Sequence, residues 1–145
     1  MDENLELLEY IYQTADMGVK SLTDLLNDIK DKDNKIKSTV SNELKGYEKY
    51  LKQCKALLKK HDTKPQSKGI MADIMSKMGI KKEVKKDNSD AAIADMLIQG
   101  FTMGNLEMQK RIDNFQGKAD KKIINLAKEL LEFGKTEIDN LKPYL

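Results

Sequence analysis

Apolar positions along this chain recur at alternating threes and fours. Between about residues 4 and 30, Leu8, Ile11, Ala15, Gly18, Leu22, Leu25 and Ile29 form one such series. That spacing places side chains on a single face of an α-helix. A second series, Ile36, Val40, Leu44, Tyr47, Leu51, Cys54 and Leu58, predicts a helix over about 35–61. Between them Asp31 to Asn34 is polar, and Asp33 or Asn34 is placed to cap the second helix through its side-chain oxygen. Two helices joined by so short a connection are expected to pack as antiparallel neighbours. Further on, Ala94, Leu97, Phe101, Gly104, Met108 and Phe115 predict a helix over about 90–116, with Gly117 free to take a left-handed C′ conformation. Leu126, Leu130, Leu131, Ile138, Leu141 and Leu145 predict a last helix over about 120–142, which Pro143 stops.

The pattern changes between the second and third helices. Thr63 to Gly69, with Pro65 inside it, is a cluster of helix breakers. Ile70, Met71, Ile74, Met75 and Met78 then predict a short amphipathic helix over about 70–79, followed by the charged spacer Lys81 to Asn88. A segment of this length is long enough to cross from one end of a helical bundle to the other.

The run from Ile93 to Met108 is nearly free of charge, and its centre, Gln99-x-x-x-Met103-Gly104, repeats Gln13-x-x-x-Met17-Gly18 at an offset of 86 residues. The same offset carries the first apolar series onto the third with one lapse, at Arg111. It also pairs Glu43 with Glu129, Leu44 with Leu130 and Tyr47 with Phe133. Internal duplication of a helical hairpin is the expectation, because the turn falls in register with the helices.

Composition narrows the function classes. The 145 residues fit one domain, 1–145, with a single core. Charged residues are 34% of the chain, but 26 basic against 24 acidic side chains leave a net charge of +2. Arg111 is the only arginine, so bidentate phosphate or base recognition is poorly provided for and no nucleic-acid partner is expected. No apolar run approaches the roughly 18 residues that span a bilayer, and Met-Asp-Glu-Asn opens the chain without a basic n-region. Cys54 is the only cysteine, which suits a reducing compartment, so a cytoplasmic location without membrane association is expected.

Two long helical hairpins joined by one long crossover resemble the ferritin-like antiparallel four-helix bundle. In the fourth helix, Gly134-Lys-Thr-Glu137-Ile138-Asp-Asn-Leu141 is similar in pattern to the Glu-x-x-His-Ile-x-x-Leu of ferritin-like proteins. In these features the chain resembles the uncharacterised bacterial ferritin-like families. The resemblance implies an all-α fold and, in members that keep the ligands, a carboxylate-bridged di-iron centre. Here the matching slots hold Gly134 for glutamate and Glu137 for histidine, and Glu43-Leu-Lys-Gly46 ends in glycine. The di-iron ligand set is therefore not retained, and no cofactor is expected.

Candidate chemistry is sparse. Cys54 falls on a core stripe and reads as an inert thiol, and the sole histidine, His61, sits at a helix end. Glu137 lies within the apolar face of the last helix and is expected at its rim, its stem reaching toward water. Tyr10, Gln13 and Met17, with their counterparts Met96, Gln99 and Met103, make a second, partly apolar stripe that calls for a cover: the Ile70 to Met78 crossover helix, a second subunit or a partner protein. The leading expectation is a non-catalytic bundle acting by self-association, as a homodimer, or by binding another protein. The alternative is a metal-binding or di-metal oxidoreductase or storage protein with non-standard ligands, for which Glu43, Glu107, Glu129, Glu132 and Glu137 are the candidate carboxylates.

Overall fold

Asp2 starts the first helix: its carboxylate accepts a hydrogen bond from the Leu5 N–H at 2.8 Å, and Glu3 and Glu6 place negative charge in the first turn. In the computed structural model, which describes residues 2–61 and 88–145, this helix is α1, Glu3–Asp28. It is followed by α2 (Lys37–Lys60), α3 (Asp90–Phe115) and α4 (Lys121–Leu141), then a single 3₁₀ turn, Lys142–Tyr144. The described residues are all-helical and contain no strand. Among them no helix is long and apolar enough to cross a membrane.

The apolar stripes become the core. Leu8, Ile11, Ala15, Leu22, Leu25 and Ile29 from the first series are buried, as are Ala94, Leu97, Phe101, Met108 and Phe115 from the third. Packing is densest within each sequential pair, α1 with α2 and α3 with α4, and thinner between the pairs. The core has two halves. One gathers Leu7, Leu8, Cys54, Leu58, Ile112, Phe115, Ile123 and Ile124. The other gathers Leu22, Leu25, Ile36, Val40, Ile93, Leu97, Phe101 and Leu141. Tyr47 and Phe133 pack against both halves.

Hydrogen bonds at the helix ends fix how the elements lie. The Asn34 amide donates to the Asn88 carbonyl at 2.7 Å and to the Asp90 carboxylate at 2.8 Å, and the Lys35 N–H donates to the other Asp90 oxygen at 3.1 Å. The start of α3 therefore sits beside the α1–α2 turn. At the other end Asn4 accepts from the Asp120 N–H at 2.7 Å, so the α3–α4 turn lies beside the start of α1. α4 then returns, and the Tyr144 and Thr39 hydroxyls share a hydrogen bond of 2.8 Å. His61 and Asn88, which flank residues 62–87, consequently lie at opposite ends of α2, about 36 Å apart for a helix of 24 residues.

Several expectations are corrected. The first turn spans residues 29–36 and is longer than the four residues anticipated. Ile29 and Ile36 are fully buried but lie in that turn, so the apolar series runs past the ends of both helices. Neither Asp33 nor Asn34 caps α2; Ile36 occupies the cap position, and Asn34 serves α3 instead. Leu145 is 65% exposed and does not extend the inner face of α4. Ser89 does cap α3, accepting from the Ala92 N–H at 3.2 Å, and Gly117 adopts φ +80 as its left-handed role requires. The short helix expected over 70–79 lies outside the described residues.

Gly18 and Gly104, which the 86-residue offset aligns, meet different surroundings. A methyl at Gly18 would lie 2.5 Å from the Tyr47 ring, whereas one at Gly104 would meet nothing within 4 Å. Gly18→Ala is expected to cost about 1–3 kcal/mol through overpacking. Gly104→Ala is expected to stabilise by about 0.5–1 kcal/mol through helix propensity. Urea unfolding of the two variants measures the contrast, and equal effects would contradict this packing.

Candidate functional site: a buried carboxyl pair

Glu43 and Tyr47 are one turn apart on α2, and Glu137 and Asn140 are neighbours on α4. The spacing Val40, Glu43, Tyr47 keeps Glu43 on the apolar face of its helix, and the structure buries it completely. Leu44, the residue expected to face inward, is only half-buried. Glu137, expected at a rim, is 8% exposed. It lies close enough to Glu43, on the neighbouring α2, for the two carboxyls to interact.

Two buried carboxyls side by side cannot both carry charge without a large penalty. Neither Glu43 oxygen meets a hydrogen-bond donor from another residue, so a proton on Glu43 itself must supply one. Burial pushes the Glu43 carboxyl up to about 9, and its hydrogen bond to Glu137 and the negative charge of Glu137 add to the effect. At neutral pH Glu43 is thus protonated, and the Glu137 carboxyl beside it is placed to accept that proton's hydrogen bond. The Asn140 amide lies 3.5 Å from each Glu137 oxygen. Burial also raises the Tyr47 phenol, with smaller contributions from Glu43 and Glu137.

The five carboxylates of the metal alternative do not converge. Glu129 and Glu132 line an open groove with Lys49, Tyr50 and Lys128, and Glu132 lies 3.4 Å from Lys135. Glu107 pairs with Lys110 at 3.5 Å on α3. Only Glu43 and Glu137 meet, and among the described residues no three His, Cys, Asp or Glu side chains come together. What the pair can do chemically is hold and exchange a proton.

The residues of the second apolar stripe separate. Tyr10 and Met96 are buried in the chain's own core, with the Arg111 guanidinium 4.4 Å from the centre of the Tyr10 ring. That contact accounts for the lapse at Arg111, whose core place passes to Ile112. Gln13 and Met17 are half-buried, while Gln99 is exposed and bonds to Asp95 at 3.1 Å. Met103 is 42% exposed, and Leu106, which the spacing did not single out, is 58% exposed. Beside them an apolar cavity of about 90 Å³ opens between α1 and α3, lined by Met17, Gly18, Leu97, Phe101 and Gly104 among others.

Cys54 is fully buried and its thiol donates to the Leu8 carbonyl at 3.1 Å. Burial, with a smaller contribution from Glu9, pushes that thiol up to about 12. Labelling by a disulfide reagent at pH 8 is therefore expected to be at least about a thousandfold slower in the folded chain than in urea; comparable rates would show Cys54 to be accessible. Comparison with protein-family models, with curated proteins and with solved structures finds no match to this chain.

Proposed function

We propose that the chain is a ferritin-like antiparallel four-helix bundle, built by duplication of a hairpin, that works by association and not by catalysis. The hydrogen bonds at the helix ends support the ferritin-like part. They set α3 to begin beside the α1–α2 turn, at the far end from His61, and that placement calls for a long crossover. Repeat-related Tyr47 and Phe133 pack edge to face at 5.1 Å, which supports duplication, while the shorter second turn, residues 116–120, marks divergence between the halves.

The observation that carries association is the outer face of α3. Its inner stripe is already buried, yet Met103 and Leu106 remain exposed, with Gln99 one turn before the first and two before the second. A second copy of the chain is the proposed occupant. A stripe on one helix can meet its own copy across a two-fold axis, as identical patches do in symmetric dimers. The net charge of +2 offers little repulsion between identical chains. A lone, buried, unreactive thiol suits a cytoplasmic setting for such an assembly.

The metal-dependent alternative draws no support from the carboxylates, since only two of the five meet. Sedimentation at micromolar concentration tests the leading reading. The wild-type chain is expected to sediment as a dimer, and Met103→Lys combined with Leu106→Lys as a monomer of unchanged helix content. A wild-type monomer, or a dimer indifferent to both substitutions, would contradict it.

A further inference from the structure

Glu43 belongs to the first helical pair and Glu137 to the second, so their contact lies on the seam between the pairs, where packing is thinner than within either. A repulsive contact there would act on the weakest part of the core. Glu43 is fully buried with no donor from any other residue to offset a negative charge. We propose that Glu43 and Glu137 form a proton-operated clasp: one proton held between the two carboxyls joins α2 to α4, and its loss sets two carboxylates against each other and loosens the pairs.

The surroundings leave little else to neutralise the pair. From α4 come Glu137 and Asn140, and from α2 itself Tyr47, a phenol that stays neutral throughout the relevant range. The terminal turn brings Tyr144, already bonded to Thr39. α1 contributes Leu22 and Leu25 to this half of the core, and α3 contributes Leu97 and Phe101. Of the charged groups of α3 near this end, Asp90 is held by Asn34 and Lys35, and Asp95 is exposed and accepts from Gln99.

The direction of the effect follows from linkage. In the unfolded chain Glu43 ionises near its ordinary 4.5, and in the folded chain only near 9. The stabilising contribution of the clasp is therefore complete below pH 4.5 and is lost progressively as pH rises toward 9. A glutamine at position 43 keeps a donor toward Glu137 without a titrating group. Glu43→Gln should thus remove the pH dependence while preserving the contact.

The test is the urea midpoint between pH 5 and 9 for the wild type, Glu43→Gln and Glu137→Gln, with the carboxyl carbon of Glu43 followed by NMR. The wild-type midpoint is expected to fall across this window, and that of Glu43→Gln to fall less than about half as far and to exceed the wild type at pH 9. Glu137→Gln, which stands in if Glu43→Gln does not fold, should make the profile shallower and lower the Glu43 titration in part, burial holding it above its ordinary range. Three results would overturn the clasp. They are a Glu43→Gln profile parallel to the wild type, a wild-type Glu43 titrating near 4.5, or a wild-type midpoint at pH 9 restored by millimolar Mg²⁺, Ca²⁺ or Mn²⁺. The last would make the pair a cation site.

Discussion

Tyr47 reaches all three other helices. Its ring seats against Gly18 of α1, lies parallel to Phe101 of α3 with centroids 5.9 Å apart, and meets Phe133 of α4 edge-on at 5.1 Å. Phe133 in turn fills the space above Gly46, where a methyl would collide with it, and stands 6.2 Å from Phe101. Aromatic pairs in such geometry contribute about 0.5–1.5 kcal/mol each beyond the area they bury. Because each helical pair packs mainly within itself, this group of rings is one of the apolar ties between them, beside the Leu7, Leu8, Ile123 and Ile124 half of the core. The missing side chains at Gly18 and Gly46 make room for the rings.

That constraint shapes the carboxyl pair. One turn along α2 from Tyr47, Glu43 is carried into the seam by the same helical face, and it finds Glu137 there. A buried carboxyl without a cationic partner is tolerable only when protonated, and a second carboxylate is a good acceptor for that proton. The ring cluster and the shared proton are thus two ties across one seam, one indifferent to pH and the other governed by it. Cys54, the lone thiol, is sealed against the Leu8 carbonyl.

The helices were legible in the sequence because their apolar residues keep one period; Leu8 to Ile29 and Ala94 to Phe115 went to the core almost unchanged. Single-chain periodicity has no access to what meets across a seam. It therefore put Glu137 at a rim and Leu44 inside, where the structure buries Glu137 and turns Glu43 inward. The signal for Glu43 was present, as the three-and-four spacing from Val40 through Glu43 to Tyr47. The turn at 29–36 misled for a related reason, since Ile29 and Ile36 keep the apolar rhythm while leaving the helix. Tyr10 was placed on a stripe that needed a cover, but no local pattern announces that Arg111, a hundred residues on, lies over its ring.

The central claim is that Tyr47 and Phe133 together hold the two helical pairs against each other. A double-mutant cycle on unfolding free energy, with Tyr47→Leu, Phe133→Leu and the combination, tests it most directly. The account predicts a coupling of about 0.5–1.5 kcal/mol, so that the double variant loses less than the two single losses added. Strict additivity would show that the rings do not act on each other and would contradict it.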